Sequence, residues 1–217
     1  MSAMRMLQTL QEKVAAGHTA VLVIDVQNDF FASGGTFDRI GRDVSVVRRM
    51  MPPLHALLEE ARGAGVQVIF VRYGLTEATE SDVFLEQRSR GRANLPICRE
   101  GSWGAEFYEV VPQPGEPVVV KHRYSGFIGT DLNVILRATG VRTLVLTGIA
   151  SNGCVEATAR DGFMHDYYIV FVDDCTASYS DQLHQATLAN IEDAYGIVVT
   201  SDQLLSQWAA QPAAVAS

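Results

Sequence analysis

The sequence predicts an α/β protein: a three-layer α/β/α sandwich built on a six-stranded, mainly parallel sheet. Two observations predict it. Short runs rich in Val, Ile and Leu recur along the chain, and most are continuously apolar, as strands covered on both faces must be. Segments with apolar residues at helical spacing lie between them, and this alternation is what crossover helices between parallel strands produce.

The elements follow in order. AVLVIDV (20–26) is the first strand. VSVVRRMMPPLHALLEEARGAG (44–65) is helical and stops at Gly63 and Gly65, with a kink or fresh start expected at Pro52 and Pro53. VQVIFVR (66–72) is the second strand. Residues 74–116 are polar and carry Gly91, Gly101, Gly104, Pro96, Pro112 and Pro114; they read as an excursion over one edge and a candidate lid. PVVVKH (117–122) is the third strand, DLNVILRATG (131–140) a short helix closed by Gly140, and RTLVLTG (142–148) the fourth strand. NGCVEATARDGFMHD (152–166) is a helix, YYIVFVDD (167–174) the fifth strand, DQLHQATLANIEDAYG (181–196) a helix and GIVVT (196–200) the sixth strand. SDQLLSQWAA (201–210) closes the order, and its Trp208 is a candidate interface residue. With no internal repeat or linker, residues 1–217 read as one domain, with 1–18 as an N-terminal extension.

Composition narrows the function. The 217 residues are 47% apolar and 19% charged, an ordinary globular balance. A net charge of -8 and scattered arginines argue against a nucleic-acid partner. The densest basic patch, Arg88, Arg90 and Arg92, reads as a solvated loop face. Cys98, Cys154 and Cys175 are odd in number and lack CxxC spacing, so neither a disulfide framework nor a zinc site follows. No apolar run approaches a membrane span and the N-terminus has no signal-like core, so a reduced cytoplasmic setting is expected.

Chemistry in such a sheet belongs beyond the carboxyl ends of the strands. There the first strand offers Asp25, then Gln27, Asn28 and Asp29; the second Arg72 and Tyr73; the third Lys121, then His122, Arg123 and Tyr124. The fourth runs out to Cys154, and the fifth ends in Asp173 and Asp174. No GxGxxG, P-loop, GxSxG or HExxH is present, which removes the commonest dinucleotide, phosphate, serine and zinc sites. Taken singly, Asp25 could be a carboxylate satisfied by loop amides, Lys121 a lysine leaving the sheet for water, and Cys154 a small buried hydrophobe. Together at three strand ends they make a cysteine nucleophile, a carboxylate base and an ammonium. A helix N-terminus and a nearby ammonium both favour the thiolate. Backbone amides in the strand-to-helix turn can face an oxyanion.

These residues sit in VLVIDVQNDF, in VVVKHRYSGFIGTDLNVILRATGVRTLVLTGIASNGCVEATARDG and in FVDD. Through them the chain resembles the isochorismatase-like cysteine hydrolase family from about Ala20 to Thr200. GGTFDRIGRDVS, GSWGAEFYEVVPQPGEPVVVKHRYSGF and GCVEATARDGF make it most similar to the ureidoacrylate amidohydrolase branch of pyrimidine breakdown. The resemblance implies strand order 3-2-1-4-5-6 and a catalytic triad of Asp25, Lys121 and Cys154. It also implies a cis peptide between Ile149 and Ala150, an oxyanion hole from the N–H groups of Ala150 and Cys154, and a homo-oligomer, dimer or tetramer. No D-x-H pattern follows Val71, so the metal of the nicotinamidases is not expected, and no cofactor is. Where the family commonly has Thr-Asn-Val-Cys, this chain has Ser151-Asn152-Gly153-Cys154, which widens the pocket or loosens the turn.

The activity expected is hydrolysis of a small linear amide or ureido substrate through a covalent intermediate. Biuret and N-carbamoyl amino acids are the alternative substrates; an inactive binding protein and a thiol-redox protein are the competing classes. Phe30, Asn28, Tyr73, Trp103, Tyr124 and Phe127 are candidate pocket residues, and Arg72 or Arg123 could take a substrate carboxylate. Glu156 and Arg160 read as a supporting pair one helical turn apart.

Overall fold

The computed structural model describes residues 6–90 and 95–209; Gly91 of the excursion and Arg92 of the basic patch lie outside them. Six strands form one sheet: β1 (Thr19–Ile24), β2 (Gln67–Tyr73), β3 (Val118–Lys121), β4 (Thr143–Ile149), β5 (Tyr168–Ala177) and β6 (Gly196–Val199). Their order is β3-β2-β1-β4-β5-β6, and every neighbouring pair is parallel. The helices are α1 (Leu10–Lys13), α2 (Asn28–Phe31), α3 (Thr36–Arg39), α4 (Val44–Arg48), α5 (Met51–Gly63), α6 (Asp82–Ser89), α7 (Leu132–Ala138), α8 (Glu156–Met164), α9 (Asp181–Ala194) and α10 (Ser201–Ala209).

Alternate strand residues feed two cores, which explains the unbroken apolar runs. Val21, Val23, Phe70 and Val145 face one side, with Leu54, Leu57 and Leu58 of α5 and Trp208 of α10. Leu22, Ile24, Val71 and Leu146 face the other, with Leu132 and Leu136 of α7, Ala159 of α8 and Ile191 of α9. Trp208 is therefore core rather than an interface residue: it is 1% exposed, and its indole N–H donates to the Val14 carbonyl at 2.8 Å.

Two expected elements are redrawn. The 44–65 segment is two helices, with Pro52 and Pro53 in the first turn of α5, where a missing N–H removes no helical hydrogen bond. The fifth strand does not end at Asp173 and Asp174 but runs to Ala177, with a register shift against β4 between Leu146 and Gly148. Asp174 binds the N–H and hydroxyl of Ser201 at the start of α10. Among its described residues the excursion carries α6 and a 3-10 turn, Trp103–Ala105.

The first-strand motif organises that excursion. Buried Gln27 donates to the Tyr73 and Ala105 carbonyls and accepts from the Tyr73 N–H, each at 2.8 Å. Buried Asp29 accepts the backbone N–H groups of Thr36 and Cys98 at 2.9 and 2.6 Å. One short polar stretch thus ties β2 and the far end of the excursion to the end of β1.

Candidate active site

Strands β1 and β4 are neighbours from which the chain departs toward opposite sheet edges, so a crevice opens past their carboxyl ends. Asp25 follows β1 directly, in a left-handed conformation (φ 55) that costs a non-glycine residue about 1–3 kcal/mol. Its N–H donates to the Val71 carbonyl at 2.9 Å. Across from it, Gly148 has φ 106, and a Cβ there would stand 1.9 Å from the Ile24 carbonyl oxygen. Only glycine lets β4 pass so close to the backbone that carries Asp25. The peptide between Ile149 and Ala150 is cis. A π-helical turn, Ser151–Val155, leads from there into α8 and holds Cys154.

Lys121 ends β3 fully buried, so it does not leave the sheet for water. Its Nζ donates to Asp25 Oδ2 at 2.7 Å and to the Arg123 carbonyl at 3.3 Å, and lies 4.8 Å from the centre of the Tyr73 ring. The second Asp25 oxygen, Oδ1, is buried without a hydrogen-bond partner. Burial raises the Asp25 carboxyl above its ordinary value, against the pull of Lys121 and Cys154. Burial alone would lower the Lys121 ammonium, but Asp25 and Cys154 more than offset this and raise it. Burial, together with the Asp25 charge, pushes the Cys154 thiol up to about 12.

At rest Lys121 is therefore charged and hydrogen-bonded to Asp25, beside a neutral Cys154 thiol. The ammonium does favour the thiolate, but burial and Asp25 outweigh it. Alkylation of Cys154 by iodoacetamide should accordingly be slow at neutral pH. It should keep rising beyond about pH 9, where an ordinary thiol has levelled off. A plateau at or below neutral pH would show a resting thiolate instead. Cys98 and Cys175 are fully buried, with thiols raised by burial, and should not compete.

A cavity of about 330 Å³ stands over this group, floored by Asp25, Cys154, Ile149 and Ala150. Of the candidate pocket residues, Phe30, Tyr73 and Tyr124 line it. Five of the residues expected there stand elsewhere. Phe127 is packed in the opposite core against His165 and Tyr167, because the chain turns inward after Gly126. Arg72 alternates away from Tyr73 and pairs with Glu100 at 3.1 Å. Asn28 spends its amide on the Trp103 carbonyl at 2.9 Å, bracing the loop. Trp103 itself is 51% exposed and outside the cavity lining. Arg123 donates to the Thr79 and His122 carbonyls. Gly153 does line the cavity; a Cβ there would meet only Ala150 Cβ, at 3.8 Å, so its effect is added room rather than a backbone requirement. Glu156 and Arg160 form the expected pair, at 2.5 Å.

The structure adds wall residues that were not among the expected pocket residues. Phe84, Gln87 and Arg88 of α6 form one wall, and Phe37, Arg42 and Tyr179 another. Beneath the nucleophile turn, Ser151 Oγ meets His184 Nδ1 at 2.9 Å, and His184 Nε2 meets Asp173 Oδ1 at 2.8 Å. This resembles a serine triad, but Ser151 is 0% exposed and cannot reach a substrate. It is a brace on the turn that holds Cys154. Replacing His184 by Phe should lower kcat about 10-fold with little change in KM, because the brace positions reacting groups without touching substrate. An unchanged kcat would remove the brace from the account. Spacing could not have revealed it, since the three residues lie on separate elements.

A carboxylate, an ammonium and a cysteine at the switch point of a parallel sheet define an α/β protein of the cysteine-hydrolase type. The chain belongs to the isochorismatase family: the Isochorismatase domain model matches residues 19–203. A ureidoacrylate amidohydrolase RutB of Stutzerimonas stutzeri is 39% identical over 217 aligned positions, covering 93% of this chain and 88% of the relative. The protein of that name from Caulobacter vibrioides is 37% identical over 197 positions, covering 84% and 88%. Among solved structures, a cysteine hydrolase from Pseudomonas syringae pv. phaseolicola superposes with TM-score 0.80 at 26% identity, covering 91% of this chain and 95% of that one. An N-carbamoylsarcosine amidase from Thermoplasma acidophilum gives TM-score 0.71 at 28% identity, covering 85% and 97%.

Proposed function

We propose that the chain is a cysteine-dependent amidohydrolase that cleaves a C–N bond of a small linear ureido acid of the ureidoacrylate kind. The observation that carries this reading is the buried Lys121–Asp25 pair, with Asp25 Oδ1 unoccupied beside Cys154 on the cavity floor. The names of the relatives support the bond type and the substrate class.

The steps follow from the protonation states. Asp25 accepts the thiol proton as Sγ attacks the carbonyl carbon, so charge separation is confined to the attack itself. Its raised pKa makes it a stronger base than an exposed carboxylate. Lys121 stays charged and holds Asp25 in place. In this reading the backbone N–H groups of Ala150 and Cys154, in the turn after the cis peptide, receive the oxyanion. Protonated Asp25 then gives its proton to the leaving nitrogen, and a thioester or thiocarbamate remains. Asp25 next takes a proton from water, which displaces the thiol. Ammonia is released directly or from the carbamate.

The α6 helix buries none of its side chains in the core yet walls the cavity, which supports a lid role for the excursion. Apolar side chains exposed on α7 and α8, Val134, Phe163 and Met164, support a homo-oligomer. Three free cysteines fit a reduced, cytoplasmic setting. The test is ammonia release from ureidoacrylate, biuret, N-carbamoyl amino acids and nicotinamide. Release fastest from ureidoacrylate is expected; release from none would overturn the activity, and release from biuret or nicotinamide alone would overturn the substrate class.

A further inference from the structure

Besides Asp25, Arg88 is the cavity residue whose bonding is incomplete among the described residues. Its side chain is only 10% exposed, and Nη2 donates to Glu80 Oε1 at 2.8 Å. Its Nε and Nη1 are buried with no hydrogen-bond partner. Buried charged donors left unmatched are costly, and where they persist beside a cavity they point to something that enters it. Glu80 does not neutralise the site, because its other oxygen faces Arg99 at 3.5 Å. One carboxylate therefore stands between two guanidinium groups.

The rest of the cavity has the same sign. Asp25 is already matched by Lys121, while Arg42 lies on the wall with its guanidinium 6.0 Å from the Tyr179 ring centre. A lining with two arginines and an already matched carboxylate favours an anionic ligand, although the chain carries a net charge of -8. Arg88 also acts electrostatically on Tyr73, whose ring covers Lys121. Arg88 thus lines the same cavity of about 330 Å³ as Cys154, so a small substrate there meets both.

We propose that Arg88 is the specificity residue of this site: its free N–H donors bind the carboxylate of an anionic ureido acid while the ureido carbonyl lies at Cys154. The assignment rests on the amidohydrolase reading and deepens it. It replaces Arg72 and Arg123, which are held by Glu100 and by backbone carbonyls. It also explains why Arg88 was misread as a solvated charge: it sits on a helix with no buried residue, and only the tertiary fold turns it inward.

The test compares ureidoacrylate with its uncharged methyl ester. Binding is measured by calorimetry in the Cys154→Ala background, where no turnover occurs, and KM is measured in the active enzyme. Arg88→Gln should weaken ureidoacrylate binding about 10- to 100-fold and the ester less than about 2-fold, with partial recovery in Arg88→Lys, as loss of one charge-assisted contact predicts. Arg88→Met, checked for unchanged melting, guards against a folding defect. Equal losses for acid and ester would overturn the proposal. So would ester binding as tight as acid binding in the parent, or charge selectivity that follows Arg42→Gln instead. Failure of the amidohydrolase reading looks different: acid-selective binding that depends on Arg88, with no ammonia from either compound in the active enzyme.

Discussion

Replacing Cys154 by serine should lower kcat/KM by at least about 10³-fold while leaving the fold and substrate binding nearly intact. A loss of that size corresponds to about 4 kcal/mol of transition-state stabilisation. The substitution changes one atom on a cavity floor, so packing is hardly touched. What changes is the proton: a hydroxyl is far harder to ionise than a thiol, and even the strengthened Asp25 carboxylate is too weak to take it. The raised thiol makes this a sharp test, because Cys154 is not already ionised and depends on Asp25 at the moment of attack. Activity close to that of the parent would show that Cys154 is not the nucleophile, whatever its position.

The same logic explains what could be read in the sequence. The continuous apolar runs announced both the parallel sheet and its covered faces, since Leu22 and Val23 point into different cores. Asp25, Lys121 and Cys154 were visible because each follows a strand, and strand ends of a parallel sheet converge on one side. The walls were not visible. Phe127 was expected on the wall and Arg72 at a substrate carboxylate, but each side chain faces away, one into the far core and the other to Glu100. Phe37, Arg42, Arg88 and Tyr179 come from segments well separated from the triad members in the chain, and nothing periodic marks them. Arg88 looked like surface charge because polar residues flank it; its burial is a property of where α6 lies. Gln27 and Asp29 carry the bonds that place the excursion, and their signal was present: they belong to a cluster of polar residues just past a buried apolar strand.

The second large effect concerns the Asp25–Lys121 pair, where activity and stability should separate. Asp25→Asn removes the proton acceptor, so both the attack and the later activation of water should fail; formation of the covalent intermediate at normal speed would remove the base role. The variant also leaves Lys121 charged, fully buried and without its 2.7 Å partner. Breaking a buried ion pair from one side costs about 3–5 kcal/mol, far more than the pair is worth against well-packed neutral residues. Lys121→Met alone should be milder, because the stranded carboxyl can take up a proton, a change its burial already favours. The double variant Asp25→Asn with Lys121→Met should therefore recover most of the stability lost in Asp25→Asn while remaining inactive, and urea unfolding of the four proteins reads this directly. If the double variant were no more stable than Asp25→Asn, the pair would be holding the structure by more than mutual neutralisation. If it retained activity, the proton would be moving by another route. The combination expected, stability recovered and activity absent, would identify the pair as a device kept for its chemistry, because a neutral pair in the same place would serve the fold as well.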